Sequence, residues 1–392
     1  MTSVSASGGH GGRLPELLPA ELLPLFDDRF ITSCSLFEEY VHRLALQVVR
    51  DTGVDSAGRE PGTPAEIAAR AGLDPARAPV AVGWLLATLA LTGRATRDGD
   101  GRFTIPDRLE TPDPNEVASA QERHDPSALA SYRMAALAAS LYPAVLRGTV
   151  SGEETLFAPD RVGAWFEYFS NDNPLYAISN RIGALAAERA LAGDGGAVLE
   201  IGGGLGSGMT AVLERFEETG RLPAVRAYRF TEIAPSFLRR GQRRMAGKFP
   251  EVPLNFVRLD MDRPFAEAGV EAGSFALVYG VNTLHVARDL ESTLAEIRRA
   301  LSPGGAVVLS ECVRPFPGRP VHIEFLFNLL EAFRAPRLVE PWRPNGGFLT
   351  PEHWTAALDA CGFGDVRIYP DITGIREVYP SFVVAAISAV RA

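Results

Sequence analysis

Hydrophobic positions divide the chain into two regions with different periods. From about Leu14 to Leu191, apolar residues recur every three or four positions, which predicts a mostly helical region. After Ala192, strand-like runs alternate with helical patterns in the order AVLEIG, a helix to Gly220, VRAYRFTEI, SFLRRGQRRMA, LNFVRLDM, FALVYGV, ESTLAEIRRAL and GAVVLSECV. This alternation predicts an α/β fold with a parallel, doubly wound sheet. Two later strand-like runs, DVRIYP and SFVVAAISAV, predict an antiparallel hairpin at the sheet edge.

One segment of the helical region predicts a winged helix. Thr63 precedes a helix and Glu66 follows three positions later, which is the pattern of a capping box. A second helix follows LDPARAP, and RATRDGDGRFTIP predicts a hairpin that turns at Asp98–Gly101. Between Cys34 and Glu110 the chain has nine arginines, no lysine and eleven acidic residues. A DNA-reading surface normally carries a cationic excess, so we interpret this unit as a packing or dimerisation element.

The change of period divides the 392 residues into two predicted domains. We expect a disordered tail at 1–13, a helical winged-helix domain at 14–192 and an α/β domain at 193–392. The formal net charge of -9 argues against a nucleic-acid partner. The first residues show neither a positive region nor a long apolar run, so we expect no signal peptide or membrane anchor. Three widely spaced cysteines indicate free thiols and a cytoplasmic location.

Closely spaced glycines follow the first strand of the α/β region. The strand ends at Glu200, and Gly202, Gly204 and Gly206 come before the next helix. Glycines at this position let the main chain turn tightly and approach a ligand at the carboxyl end of the strand. The dinucleotide pattern G-x-G-x-x-G fails, because the sixth position is not glycine from either starting point. A phosphate-binding G-x-x-x-x-G-K-[ST] pattern is also absent from the sequence.

The spacing E-x-G-x-G-x-G, from Glu200 to Gly206, resembles the first motif of class I S-adenosylmethionine-dependent methyltransferases. Further segments match that family in the same order: Glu232 ends the second strand, Asp260 and Met261 end the third, and LSPGGAVVLSE leads into the fifth. The resemblance implies S-adenosyl-L-methionine as the cofactor. It assigns Glu200 to the amino-acid end and Glu232 to the ribose hydroxyls. It assigns Asp260 to the adenine amine and Met261 to the adenine ring.

A winged-helix region before such a domain resembles dimeric small-molecule O-methyltransferases and the stand-alone C-methyltransferases of bacterial secondary metabolism. The resemblance implies a homodimer whose helical domain covers a partly apolar small-molecule acceptor, with no nucleic-acid or membrane partner. Carbon and oxygen both stay open as the methylated atom, and carbon is favoured. An O-methyltransferase of a phenolic or hydroxylated metabolite is the alternative. A ligand-sensing regulator and an NAD-dependent oxidoreductase are disfavoured by the acidic winged helix and the broken dinucleotide pattern.

Two ionisable residues at strand ends are the candidate catalytic pair. His285 follows the fourth strand, where the resembling O-methyltransferases carry their catalytic histidine. Glu311 ends the fifth strand, where those enzymes carry the carboxylate that orients the histidine. The resemblance therefore implies a general base and its orienting partner. The residues alone leave other interpretations open: His285 as a loop histidine or a wall of the adenine pocket, and Glu311 as a partner of Arg314.

Two aromatic segments, WFEYFSNDNPLYAISNR and RPVHIEFLFNLLEAFRAP, are the candidate acceptor site, and Phe325 and Phe327 of the second are interpreted as core or pocket wall. The substrate candidates within them are Tyr168, Phe169, Asn173, Tyr176, Arg181 and His322. A partly apolar acceptor would suit the aromatic residues. The segment WFEYFSNDNPLYAISNR is equally consistent with a capped helix whose aromatic side chains pack between the two domains.

The run YFSNDNPLY also resembles stand-alone C-methyltransferases. Some C-methyltransferases add the methyl group to an alkene of a prenyl diphosphate, so a prenyl diphosphate joins a polyketide-like compound as a candidate acceptor. If the methyl group adds to an alkene, Glu167 is the candidate base that deprotonates the carbocation. Arg181, Arg334 or Arg343 would then hold the diphosphate. No metal-ligand set is predicted, and Mg²⁺ would be needed only for a diphosphate acceptor.

Overall fold

The computed structural model describes residues 14–191 and 193–392, so the predicted tail at 1–13 and Ala192 lie outside the described residues. The region before the sheet is helical, as predicted. Its elements are α1 (Leu14–Leu17), α2 (Asp28–Asp51), α3 (Val54–Ala57), α4 (Pro64–Arg70), α5 (Ala78–Leu91), β1 (Thr96–Arg97), β2 (Phe103–Thr104), α6 (Pro114–His124), α7 (Leu129–Leu146), α8 (Gly152–Leu156), α9 (Val162–Tyr168) and α10 (Pro174–Ala190).

The segment from α4 to β2 has the order helix, helix, hairpin. The capping box is formed: the Thr63 hydroxyl accepts a hydrogen bond from the Glu66 amide, and the Glu66 carboxylate accepts one from the Thr63 amide. Strands β1 and β2 pair antiparallel, with Arg97 opposite Phe103. Between them the chain turns at Asp98–Gly101, where Gly101 has a φ of 78°. Local sequence signals therefore predicted these elements correctly.

One helical stretch within the described residues, Pro126–Leu146, is long and apolar enough to span a membrane by length and composition. It includes α7, and Tyr132, Met134 and Tyr142 of this helix lie buried in a core cluster that also includes side chains of α2 and α5. The tertiary packing of α7 inside the helical region accounts for its apolar composition.

The sheet region contains seven strands and seven helices among the described residues. Its elements are β3 (Gly196–Ile201), α11 (Ser207–Glu218), β4 (Val225–Glu232), α12 (Pro235–Met245), β5 (Leu254–Arg258), β6 (Phe275–Val281), α13 (Leu290–Ala300), β7 (Leu301–Cys312), α14 (Glu324–Phe327), α15 (Glu331–Arg334), α16 (Pro351–Ala360), β8 (Phe363–Tyr369), α17 (Ile372–Ile375) and β9 (Val384–Arg391).

The strand order is β5-β4-β3-β6-β7-β9-β8. Strands β5, β4, β3, β6 and β7 are parallel neighbours, and β9 is antiparallel to both β7 and β8. The predicted doubly wound sheet and its antiparallel hairpin are therefore confirmed. The structure adds that β9 lies inside the sheet and that β8 forms the edge.

Two elements of the helical region pack on the sheet. The Ser310 hydroxyl on β7 donates a hydrogen bond to the Ser179 carbonyl on α10 at 2.6 Å, and Ile182 of α10 joins the same apolar cluster as Tyr279 of β6. Leu14, at the start of α1, belongs to this cluster too. Side chains from both sides of the boundary predicted at 192/193 therefore share one apolar cluster. A sequence pattern reports the element type and not the partner against which a helix packs, and the division into domains stays a prediction.

A segment after β7 connects the helical region to the sheet. The Trp84 indole of α5 donates to the Val321 carbonyl and the Glu324 carboxylate, and the Tyr142 hydroxyl of α7 donates to the Phe325 carbonyl at 2.6 Å. All five side chains are buried. The helical region therefore closes over the carboxyl ends of the strands, which is where open α/β sheets bind their ligands.

Candidate active site

The glycine loop after β3 is tied to the end of β4 through Glu232. One Glu232 carboxylate oxygen accepts a hydrogen bond from the Gly204 amide at 2.9 Å, and the other accepts one from the Ala234 amide at 2.8 Å. Glu232 is 7% exposed, and burial raises the pKa of its carboxyl group while these amide donors lower it. A carboxylate oxygen has more than one lone pair, so each can still accept a hydroxyl hydrogen bond. The position fits the predicted ribose contact.

The same loop touches the loop after β6. Gly202 has a φ of 62°, and a Cβ atom there would lie 2.1 Å from the Thr283 hydroxyl oxygen. Gly204 and Gly206 also have positive φ values, of 55° and 79°. Only glycine adopts such a turn without strain, and only glycine leaves room for Thr283. The cofactor loop and the loop that carries His285 are therefore in direct contact.

Glu200 points beneath the glycine loop. The side chain is 1% exposed, its Oε2 accepts a hydrogen bond from the Tyr228 hydroxyl at 3.0 Å, and a Cβ atom on Gly208 would lie 2.7 Å from its Oε1. Burial raises the pKa of Glu200 to about 8, and the Tyr228 hydrogen bond opposes that shift. The structure thus places Glu200 under the loop, and its contact with a cofactor ammonium group stays a prediction.

The raised pKa of Glu200 predicts a stability difference that depends on pH. Between pH 4.5 and pH 8 the folded protein keeps this carboxyl protonated while the unfolded chain ionises it, so rising pH lowers the free energy of unfolding. We expect Glu200→Gln, which can still accept from Tyr228, to become more stable relative to the native chain over this window. Chemical denaturation of both proteins at pH 5, 6.5 and 8 measures the difference. A difference that is constant with pH would contradict the assignment.

Polar atoms without partners lie around the start of α11. Within the described residues, Asn180 Oδ1, the Ser207 hydroxyl and the Tyr279 hydroxyl are buried and have no hydrogen-bond partner. Asn180 donates to the Asn171 amide oxygen at 2.7 Å, and Asn171 donates to the Ser207 carbonyl at 3.0 Å, so α10 is linked to the loop end. Buried polar groups normally have partners. The amino-acid end of S-adenosyl-L-methionine carries the donors and acceptors that these atoms lack.

Asp260 and Met261 lie beyond the carboxyl end of β5, beside Glu232 on the neighbouring strand. Both are half-buried. One Asp260 oxygen accepts from the Asp262 amide at 3.0 Å, and the Met261 carbonyl accepts from the Thr293 hydroxyl at 3.1 Å. These hydrogen bonds shape the turn and leave the Met261 thioether available, so the structure is compatible with the predicted adenine contacts.

His285 and Glu311 form a buried pair. The His285 Nδ1 atom donates to Glu311 Oε2 at 2.6 Å, and the two side chains are 3% and 0% exposed. Glu311 Oε1 accepts from the amides of Thr283 and Leu284 at 3.1 and 2.8 Å. These three donors satisfy the carboxylate and fix the imidazole ring. The pair has the geometry that the sequence predicted, and Glu311 does not pair with Arg314.

The main chain at Asn282 explains how the pair assembles. Strands β6 and β7 are parallel neighbours, so residues after one and at the end of the other meet at the same edge. Asn282 has a φ of 47°, its amide donates to the Ser310 carbonyl, and its side-chain oxygen accepts from the Cys312 amide at 2.7 Å. Asparagine tolerates this left-handed conformation better than most residues. The resulting bend points the amides of Thr283 and Leu284 toward the Glu311 carboxylate.

Aromatic rings and one arginine enclose the histidine. The His285 ring centre lies 4.7 Å from that of Phe348, 5.7 Å from that of Phe333 and 6.4 Å from that of Phe327. The Arg343 guanidinium donates to the His285 carbonyl at 2.7 Å. The pair therefore lies in a mostly apolar enclosure that is nearly closed to solvent. The sequence indicated Phe327 as core or pocket wall, whereas Phe333 and Phe348 were missed.

The aromatic residues of α9 and α10 cluster beside the pair. Ring centres of Tyr168, Phe169 and Tyr176 lie 5.0 to 5.7 Å apart. Burial raises the pKa of Tyr176, with smaller contributions from the nearby charges of Cys312, Glu200, Glu311 and Glu232. The cluster is linked to the pair through Trp165 and Phe327: Trp165 stacks on Phe169 at 5.1 Å, and the Phe327 ring centre lies 6.4 Å from those of both Trp165 and His285. Tyr168, Phe169 and Tyr176 suit the predicted acceptor wall.

Three other substrate candidates lie elsewhere. Asn173 is buried and its side chain donates to the Ser131 hydroxyl and the Tyr168 carbonyl, so it braces the start of α10. Arg181 is exposed on α10. His322 is half-buried with its ring 5.7 Å from that of Phe37 on α2, and burial lowers its pKa to about 4. The described contacts of these residues do not include the His285 pair, and their role in binding the acceptor stays a prediction.

Glu167 is on the protein surface. Its side chain is 58% exposed and forms an ion pair with Arg133 of α7 at 2.5 Å. On α9, Trp165 and Tyr168 are buried, so the helix phase turns the intervening Glu167 outward. The prediction that Glu167 deprotonates a bound acceptor is therefore corrected: this carboxylate does not face the aromatic cluster.

Because Glu167 is exposed, we expect Glu167→Gln to leave methyl transfer within about twofold of the native rate. The change should alter the free energy of unfolding by less than about 0.5 kcal/mol, since exposed ion pairs contribute little. Initial rates and thermal unfolding measure both quantities, with Arg133→Gln as the matched control. A rate loss seen only in the Glu167 variant would restore the predicted role.

The arginines assigned to a diphosphate do not form one site. Arg343 is fully buried behind His285, Arg181 is exposed, and Arg334 donates to the Arg77 carbonyl at 3.1 Å. Among residues 14–191 and 193–392, no three His, Cys, Asp or Glu side chains are grouped so that they could hold a metal ion. The geometry does not fit a diphosphate acceptor with Mg²⁺.

Residues 199–307 match the family described as "Methyltransferase domain". They run from β3 through the His285 loop into β7. This chain carries a class I methyltransferase domain. The match confirms the methyltransferase prediction and the cofactor prediction, S-adenosyl-L-methionine.

Solved structures support the fold of the whole methyltransferase chain. The CurJ carbon methyltransferase superposes with a TM-score of 0.77 at 22% identity and covers 97% of this chain and 98% of its own. The DszA carbon methyltransferase gives a TM-score of 0.68 at 24% identity and covers 97% and 95% of the two chains. At these identities the likeness shows the fold.

Sequence relatives of this methyltransferase include much longer proteins. Highly reducing polyketide synthase 2 of Gibberella zeae is 35% identical over 184 residues, which are 44% of this chain and 7% of the synthase. Lovastatin diketide synthase lovF of Aspergillus terreus is 31% identical over 171 residues, 44% of this chain and 6% of the synthase. The chain therefore spans less than a tenth of the length of these curated relatives.

Proposed function

We propose that this methyltransferase transfers the methyl group of S-adenosyl-L-methionine to a carbon atom of a polyketide-like small molecule in specialised metabolism. The buried His285–Glu311 pair beside the cofactor loop carries the proposal. Polyketide synthases among the sequence relatives and carbon methyltransferases among the similar folds support the choice of acceptor.

When bound, S-adenosyl-L-methionine supplies an electrophilic methyl group on a sulfonium. Glu232 and the Gly202–Gly206 loop would hold its ribose side, and Asp260 and Met261 its adenine. The unpartnered polar atoms of Asn180, Ser207 and Tyr279 near α11 would bind its amino-acid end. Together these residues would hold the cofactor at the carboxyl edge of β3, β4 and β5.

The pair supplies the proton transfer that carbon methylation needs. A carbon between two carbonyl groups becomes a nucleophile when it loses a proton, and His285 can accept that proton at Nε2 because Nδ1 is held by Glu311. The proton would move from the carbon to the imidazole, and the freed electron pair would form the new carbon–methyl bond as the sulfur–methyl bond of the donor breaks and leaves a neutral thioether. Glu311 stabilises the resulting imidazolium.

The enclosure around the pair favours this chemistry. The ring of Phe348 and the Tyr168–Phe169–Tyr176 cluster provide apolar walls that exclude water from a carbanion. Correct alignment of donor and acceptor in such a site supplies much of the rate acceleration. A prenyl diphosphate is disfavoured because Glu167 is exposed and the three arginines are separate.

The experiment uses a β-ketoacyl thioester, the acetoacetyl thioester of N-acetylcysteamine, with methyl-¹³C-labelled cofactor. We expect a labelled C-methyl product by mass spectrometry and ¹³C NMR, where C-methyl and O-methyl carbons are well separated. Catechol serves as the matched oxygen acceptor. An O-methyl product from catechol, together with no C-methyl product, would replace the proposal with the phenolic O-methyltransferase alternative.

We also propose that the protein is cytoplasmic and forms a homodimer through its helical region. The elements from α4 to β2 would form a winged helix within that region. Val80 and Leu91 of α5 are 50% and 40% exposed, which suits a self-association surface. The overall charge of -9 supports the absence of a nucleic-acid partner. Light scattering of the purified chain, with Leu91→Glu as the disrupting variant, tests the dimer.

A further inference from the structure

Arg343 lies in the loop before α16 and is 0% exposed. Its Nη2 donates to the His285 carbonyl at 2.7 Å. Within the part of the chain that the structure describes, its Nε and Nη1 atoms are buried and have no hydrogen-bond partner. Among the described residues, the His285 carbonyl is therefore the only hydrogen-bond acceptor of this guanidinium.

The acidic groups that face Arg343 are engaged elsewhere. They are Glu311 on β7, Asp262 after β5 and Asp289 before α13. Glu311 is hydrogen-bonded to His285 and two amides, Asp262 accepts from the Arg288 amide, and Asp289 pairs with Arg337. Burial lowers the pKa of Arg343 to about 10, and these acids oppose that shift. The fold thus keeps a charged group where it has no ion pair of its own.

Holding a carbonyl does not require a charge. A neutral donor such as glutamine could hydrogen-bond to the His285 carbonyl without the cost of a buried cation. The hydrogen bond alone therefore does not explain why a buried cation lies at this position. Glu311 contacts the imidazole at Nδ1, and Arg343 lies behind its main chain. Asp262 and Asp289 face Arg343 from their own loops, and the ring neighbours Phe327, Phe333 and Phe348 are uncharged.

We infer that Arg343 is a positioning residue for His285: its hydrogen bond fixes the His285 main chain, and its positive charge offsets the pull of Glu311 so that the imidazole stays free to accept a proton. A carboxylate at 2.6 Å favours the imidazolium, which cannot act as a base. A nearby cation favours the neutral ring. The catalytic consequence rests on the proposed function, whereas the electrostatic effect on His285 does not.

The first test follows His285 by NMR without any acceptor. Protein with ¹³C-labelled histidine is titrated between pH 4 and pH 9, and the His285 signal among the six histidines is assigned with His285→Gln. We expect Arg343→Met to raise the midpoint of the His285 titration by about one pH unit, from the Coulomb energy of one charge at a few ångströms. Arg343→Lys, which keeps the charge, should shift it by less than half of that.

The two variants separate charge from packing. An unchanged midpoint in Arg343→Met, or equal shifts in the Met and Lys variants, would overturn the inference. Thermal unfolding shows that each variant is folded. Arg343→Gln replaces Arg343→Met if the latter does not fold, and we expect the same rise in midpoint from it.

The second test measures the pH profile of C-methylation. The acid limb of kcat should move to higher pH in Arg343→Met by the shift that NMR shows, with the cofactor Kd within about threefold of the native value. If the native protein methylates no carbon acceptor, the proposed function is wrong, and the NMR titration alone decides the role of Arg343. If the native protein methylates carbon but the acid limb of kcat does not move in Arg343→Met, the inference about Arg343 is wrong and the proposed function stands.

Discussion

Replacing His285 with alanine lowers kcat for methyl transfer by about three orders of magnitude, because a positioned general base contributes roughly 10²- to 10⁴-fold. His285 is the group that the Glu311 carboxylate and the loop after β6 hold in place. Stopped or quenched assays with labelled cofactor measure the rate. Calorimetric titration should show cofactor affinity within about threefold of the native value, since the residues assigned to the cofactor lie on other loops.

The matched control is His124→Ala, which removes an exposed histidine at the end of α6. We expect this variant to keep its rate within about twofold. A His285→Ala protein that retains more than a tenth of native activity would show that His285 is a wall of the site. Mass spectrometry of the product formed by each variant ensures that the rates refer to the same methylated compound.

Gly202→Ala reduces cofactor affinity by about ten- to a hundredfold, because the added Cβ would lie 2.1 Å from the Thr283 hydroxyl at a φ of 62°. Overpacking of this kind costs about 1–3 kcal/mol, and each 1.4 kcal/mol is tenfold in affinity. The loop must move away from either Thr283 or the cofactor. Calorimetric titration with S-adenosyl-L-methionine measures the change.

Gly220→Ala is the matched control for backbone strain. Gly220 has a φ of 68° at the end of α11, and nothing lies within 4 Å of an added Cβ. We expect a loss of about 1 kcal/mol in the free energy of unfolding and an unchanged cofactor Kd. If both variants lower affinity equally, the steric explanation for Gly202 fails.

Local signals explain what the sequence predicted well. The glycine spacing, the acids at strand ends and the capping box each depend on residues that are close in the chain. The His285 and Glu311 pairing was predictable because His285 follows β6 and Glu311 lies at the end of β7, and the carboxyl ends of neighbouring parallel strands meet at one edge. Asn282 was missed, although an asparagine directly after a strand is a recognisable signal for a left-handed residue.

Side-chain direction explains what the sequence predicted poorly. Glu167 lies among aromatic residues in the sequence, but the phase of a seven-residue helix turns it away from them. Glu200 was correctly placed at the end of β3, yet nothing in the motif indicates that its carboxyl group turns toward Tyr228. The contact between Arg343 and His285 joins positions 58 residues apart, and no local pattern reports it.

The position of β9 has a consequence for how the site forms during synthesis. Strand β9 lies between β7 and β8, and Ala385 is the residue paired with Glu311. A ribosome delivers β7 and β8 before β9, so β8 has no neighbour to dock on until residues 384–391 emerge. The carboxylate beside His285 therefore gains its flanking strand only in the last stage of translation of this region, and a nascent chain that stops earlier carries the glycine loop without a finished catalytic edge.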